Sequence, residues 1–174
     1  MRTITAALLA AAVLPTLAAA QHAAPIADAF RRHATRMGRN LIAAAEAMPA
    51  DKYGYKPTPA QMTFGEVVLH VAQDNDEACP PIADMKAPAR AKLAATDDKA
   101  RLVARMRESF AFCDQALAHL DDSNIGGSVS AFGEKWTRAA LMFERADDWA
   151  DHYSQFAIYL RLNGLLPPTA RQGS

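Results

Sequence analysis

Four stretches of this chain carry apolar residues at helical spacing; three are closed by proline or glycine and the third runs into a loop rich in Asp, Ser and Gly. That punctuation limits the fold more than any other feature. The first stretch predicts a helix from about Ile26 to Met48, with Phe30, Met37, Leu41, Ile42 and Ala45 inward and Arg31, Arg32, Arg36 and Arg39 facing solvent. Pro49 stops it, and ADKYGYKPTPAQM follows as a crossing loop with two prolines and a glycine. Thr63-Phe64-Gly65-Glu66 has the form of a capping box, so a second helix starts there and runs to about Cys79, where Pro80-Pro81 is expected to end it. Residues 82 to 95 read as a connection with room for one helical turn near Leu93. Thr96 and Asp97 offer caps for a third helix, with Leu102, Val103, Met106, Phe110, Cys113 and Leu117 as its core stripe. Asp121 to Gly133 reads as loop. A fourth helix is expected from near Glu134 to Thr137 as far as Asn163, with Gly164 as the left-handed cap and Pro167-Pro168 preventing resumption. The fold class is all-α: a four-helix bundle with a long crossing loop between its first two helices.

The first 20 residues read differently. Arg2 followed by the apolar run Ala6 to Leu17 and small residues at Ala18 and Ala20 forms an export signal, cleaved after Ala20. About 15 apolar residues falls short of the roughly 20 that span a bilayer. The domain is therefore expected over residues 21–174, in a periplasmic setting. Losing Arg2 takes the 19 positive charges to 18, against 19 negative. A net charge so near zero, with no basic tract, excludes the electrostatic footprint of a nucleic-acid binder. The two cysteines, Cys79 and Cys113, would sit in an oxidising compartment, where a pair is more often a disulfide than two thiols.

Bundle interiors build ligand sites from side chains on facing helices, so polar residues at inward positions are informative. On the fourth helix Asp148, His152, Gln155 and Tyr159 share one face. Asp148 and His152 stand one turn apart, the separation at which two side chains grip one ion. Asp151 is displaced by about 100° around the helix axis, which makes it a poorer ligand and leaves it able to orient an imidazole. A third ligand is available in GEVVLHVAQDN, where His70 has Glu66 one turn before it and Asp74 one turn after. If the second and fourth helices face each other, His70, Asp148 and His152 make a two-histidine, one-carboxylate set suited to zinc, nickel, iron or manganese, with a position open for water or a small-molecule substrate. The same residues also read without a metal: His70 as a hydrogen-bonded core histidine, and Asp148 with Asp147 and Asp151 as a solvated acidic face.

At these residues the chain resembles the DinB-like (DinB/YfiT) family of bacterial four-helix-bundle proteins. The resemblance rests on EAMPADKYGYKPTPAQMTFGEVVLHVAQDN and on DHYSQFAIYLRLNGLLPP, in that order and at that separation. It implies a divalent metal held by three histidines, one on the second helix and two at i, i+4 on the last. Carried over, the first falls on His70 and the last on His152, while the middle position is Asp148, a departure from the pattern. An aspartate ligates the same metals through oxygen but lowers the net charge of the site. The resemblance further implies a metal-dependent enzyme of hydrolase or thiol-transferase type. Thiol cofactors are chiefly cytoplasmic, which fits poorly with an exported chain. A non-catalytic binding or stress-related bundle with a degenerate metal site is the alternative, and a homodimer through outer helix faces is compatible with either.

Overall fold

The computed structural model describes residues 24–171, so the export signal expected over residues 1–20 lies outside the described residues. The chain runs α1 (Pro25–Ala47), a 3-10 turn (Ala50–Lys52), α2 (Phe64–Ile82), α3 (Lys99–Leu117), a 3-10 turn (Asp122–Asn124), β1 (Ser128–Ala131), β2 (Glu134–Thr137), α4 (Arg138–Leu162) and a short α5 (Pro168–Arg171). Around the bundle α1 packs on α3, α3 on α2, α2 on α4, and α4 back on α1. The second and fourth helices are thus neighbours, as the candidate site requires. Among the described residues no helix is long and apolar enough to cross a membrane.

Each helix end has a chemical reason. The Thr63 hydroxyl accepts from Glu66 N at 3.2 Å and the Glu66 carboxylate accepts from Thr63 N at 2.5 Å, completing the capping box. Asp98, one residue past the expected pair, caps α3, and Thr137 caps α4. α1 has no side-chain cap of its own; Asp122, far along the chain, accepts from Ile26 N at 3.0 Å and Ala27 N at 2.7 Å. Lys99 donates to the Glu46 and Met48 carbonyls at the other end of α1. Arg31, expected in solvent, is instead half-buried and donates to the Leu117 and Leu120 carbonyls, so α1 and α3 satisfy each other's termini. Arg32, Arg36 and Arg39 are exposed as expected.

Three local expectations need correction. α2 does not end at Cys79: Pro80 and Pro81 lie inside its last turn. They are tolerated because a helix end already lacks partners for its last carbonyls, and Arg138 Nη1 donates to the Pro81 and Ile82 carbonyls at 3.3 and 2.8 Å. No helix forms at Leu93; the connection is irregular there, makes a turn at residues 94–97, and is pinned by Arg90 to Asp76 and Glu108. The segment from Ser128 to Thr137 is an antiparallel hairpin, pairing Ser128 with Thr137 and Ala131 with Glu134, so α4 starts only at Arg138. Phe132 and Gly133 at its tip have φ of +53° and +74°, the doubly left-handed backbone of a tight two-residue turn.

The core centres on Trp149, Phe64, Phe156, Tyr159, Leu41, Met48 and Met106, all fully buried, together with the expected α3 stripe. Cys79 and Cys113 are joined in a buried disulfide that ties α2 to α3. A bond of this kind fits an oxidising compartment.

Candidate metal centre

α2 contributes His70 and Asp74 to the site, and α4 contributes Arg145, Asp148, His152, Gln155 and Tyr159. One ligand atom from each of His70, Asp148 and His152 lies within 4.8 Å of the others, and the two imidazoles meet edge to face with centroids 4.8 Å apart. His152 is buried, while Asp148 and His70 are half-buried, so the set opens toward solvent on the His70 side. His70 is therefore not a sealed core histidine, and Asp148 points inward while Asp147 and Asp151 are exposed.

The orientation of His152 follows from a chain of hydrogen bonds with one possible direction. The Met62 carbonyl, on the crossing loop, can only accept, so Tyr159 Oη donates to it at 2.8 Å. Burial, the largest influence, pushes the Tyr159 phenol above its ordinary value and keeps it a donor. Its oxygen then accepts from Gln155 Nε2 at 3.4 Å. That leaves Gln155 Oε1 facing His152 Nδ1 at 3.0 Å, which must be the protonated nitrogen. His152 Nε2 consequently points at Asp148 Oδ1, 3.3 Å away. Either a proton on Nε2 or a metal ion bridges such a pair. Ligand atoms about 2.1 Å from a tetrahedral metal are roughly 3.4 Å apart, so this pair fits a bound divalent ion, and the nitrogen, nitrogen, oxygen donor set fits it chemically. Gln155, rather than Asp151, is the residue that orients the imidazole.

The remaining charges surround this pair. Asp148 Oδ2 forms an ion pair with Arg145 Nη2, one turn back on α4. The Arg145 side chain is only 2% exposed, its Nη1 lies 3.8 Å from Asp74 Oδ2, and its guanidinium sits 5.6 Å from the Trp149 ring centroid. Burial lowers the Arg145 pKa to about 10, still charged at neutral pH. Asp74 Oδ2 is also 3.3 Å from His70 Nε2. Desolvation is the largest influence and holds His70 below its ordinary value; Asp74 pulls the other way, and the nearby His152 and Arg145 lower it a little further, which favours the neutral, ligating form. Sequence reasoning had Asp74 only as a neighbour of His70 and missed Arg145 altogether; its i, i+3 spacing to Asp148 was the available signal.

The sequence profile of the DinB superfamily matches residues 33–156, which include all three candidate ligands. No curated protein is similar to the chain in sequence. Among solved structures, a DinB-like protein from Bacillus subtilis superposes with a TM-score of 0.64 at 21% identity, covering 78% of this chain and 92% of that one. A DinB-like protein from Bacillus cereus gives 0.67 at 14% identity, covering 81% and 95%. A mutant of the mycothiol-dependent maleylpyruvate isomerase gives 0.60 at 12% identity, covering 74% of this chain and 59% of that one. At these identities the structural likenesses establish the fold.

Proposed function

The chain belongs to the DinB superfamily, and on that footing we propose that it is an exported, divalent-metal-dependent enzyme of hydrolase or thiol-transferase type whose metal is held by His70, Asp148 and His152. The observation that carries this reading is the convergence of His70, Asp148 and His152 within 4.8 Å, with the hydrogen-bond chain from Met62 aiming His152 Nε2 at an Asp148 oxygen 3.3 Å away. A divalent ion there would supply Lewis acidity, lowering the pKa of a water or thiol at an open position. The chain's own residues do the rest. Gln155 fixes the His152 tautomer, and Arg145 cancels the charge that Asp148 adds in place of the histidine expected from the resemblance. Asp74, next to His70 Nε2, offers a proton acceptor at the solvent-facing side. The disulfide supports the exported, periplasmic setting, and the isomerase among the fold neighbours supports a transferase or isomerase chemistry over a purely structural role.

One observation favours a second reading, a non-catalytic exported bundle with a degenerate metal site. The buried Arg145 guanidinium already neutralises Asp148 without any ion. Elemental analysis of protein purified without a polyhistidine tag separates the two. The enzyme reading expects about one transition-metal ion per chain, lost in His152→Ala. Absence of stoichiometric metal, together with a melting temperature indifferent to added zinc, nickel or manganese, would leave the second reading standing.

A further inference from the structure

Between them α1 and α4 leave an apolar groove of about 310 Å³, floored by Phe30, Met142 and Ala146 and rimmed by Ile26, Ala29 and Phe143. Phe143, at 75%, is the most exposed large apolar side chain among the described residues, and Ile26 is 48% exposed. A protruding ring thus stands on the lip of an apolar hole. Such a ring left in water forgoes the free energy that burial would supply.

Charge is sorted on the same face. His33 Nε2 lies 3.4 Å from the Ala146 carbonyl, and Ile26 and Ala139, seven residues earlier on each helix, line the same groove, so α1 and α4 run in one direction. Away from the groove α1 exposes Arg32, Arg36 and Arg39, while α4 exposes Asp147 and Asp151. In that register Asp147 falls in height between Arg32 and Arg36, and Asp151 falls beside Arg39. Arg32, Arg39, Asp147 and Asp151 form no ion pair among the described residues.

A face that carries both a knob and a hole, and both signs of charge, is complementary to itself, as a two-fold interface requires. An axis parallel to the helices lays α1 on the partner's α4 at equal height, ring over groove and arginine over aspartate. An axis across the helices would lay α1 on α1, and the basic row would oppose itself. A small apolar ligand would fill the groove and leave Phe143 and both charged rows unanswered. Helices of 23 and 25 residues, about 35 Å long and about 10 Å wide, offer about 700 Å² per protomer, close to the roughly 800 Å² of a standard interface.

We propose that the chain is a homodimer through the α1–α4 face, with Phe143 of each protomer seated in the other's groove and Arg32 and Arg36 paired with the partner's Asp147.

Sedimentation of the purified exported protein tests this, and wild type is expected at twice the chain mass. Phe143→Gln withdraws two rings per dimer, so the dissociation constant should rise on the order of 100-fold. Arg32→Glu and Asp147→Arg should each weaken association by about tenfold or more. Combined in one chain they restore opposite charges, and affinity should return to within a few-fold of wild type. All three side chains are exposed, so each variant should keep the wild-type helical signal, and the charge variants probe the face without altering an apolar residue. A wild type that stays monomeric up to near-millimolar concentration overturns the proposal. So does a dimer unaffected by Phe143→Gln, since the interface would then lie elsewhere. Tighter association of Arg32→Glu would place α1 on α1 and overturn it, as would a double variant no tighter than its single parents. The metal centre stands or falls separately from each of these results.

Discussion

Replacing Arg145 by methionine is expected to destabilise the metal-free protein by about 3–5 kcal/mol, the usual cost of stranding a buried charge. The structure supplies the terms. Arg145 is 2% exposed and sits between Asp148 and Asp74, which are themselves only 18% and 19% exposed. At its 3.8 Å separation from Asp74, an effective dielectric near 20 gives roughly 4 kcal/mol of attraction. The ion pair with Asp148 adds to that, and the desolvation of the guanidinium takes part of it back. Methionine retains an unbranched apolar stem against Trp149, which limits the loss of packing. For a domain of this size about 4 kcal/mol lowers the melting temperature by on the order of 10 °C. The informative arm is metal. A divalent ion held by Asp148 substitutes for the missing cation, so the metal-induced rise in melting temperature should be larger in Arg145→Met than in wild type. Circular dichroism melts of tag-free protein, with chelator and with added zinc, measure both quantities. A variant that loses under about 1 kcal/mol, or that gains no more from zinc than wild type does, would refute the charge-compensation argument.

Three further outcomes are expected. Gln155→Leu breaks the chain that fixes the His152 tautomer, and metal affinity should fall about 10- to 100-fold in a competition titration with little change in stability. Full metal affinity in that variant would remove Gln155 from the site. Burial is the main reason the folded His70 pKa lies below its ordinary 6.5. The unfolded chain then binds more protons between the two values, so the stability His70 contributes is complete above pH 6.5 and is lost as pH falls through the folded value. His70→Ala should flatten the stability profile of metal-free protein in that window, and an unchanged slope would contradict the assignment. Reducing the Cys79–Cys113 bond, which closes a separation of 34 residues, should cost about 3–4 kcal/mol in the chain-entropy model. Two reactive thiols in denatured, unreduced protein would show that no bond forms.

Most of the bundle was legible because four amphipathic segments and their stops leave few other packings. The α3 stripe from Leu102 to Leu117 is buried at each named position, since a 3.6-residue period states which side faces inward. The i, i+4 pairing of Asp148 and His152 was readable for the same reason. What could not be read depends on tertiary position. The hairpin was hidden because strands of four residues carry too little alternation, and Phe132 is a poor advertisement for a left-handed turn. The continuation of α2 through Pro80 and Pro81 relies on Arg138, 57 and 58 residues onward, whose side chain reaches the end of that helix. Arg145 looked like one more solvated charge in RADDWADH, and only the packing of α2 on α4 buries it between two carboxylates.

Trp149 turns this arrangement into an optical sensor. Its indole N–H donates to Asn75 Oδ1 at 2.7 Å, its ring is wholly buried, and the Arg145 guanidinium sits 5.6 Å from the ring centroid. Indole emission responds to the local electric field, and an ion that draws Asp148 away from Arg145 changes the field across that ring. The chain holds two tryptophans, so Trp136→Phe leaves this one as the only emitter. Occupancy of the site then becomes readable as a colour and intensity change in an unlabelled protein, before any substrate is identified.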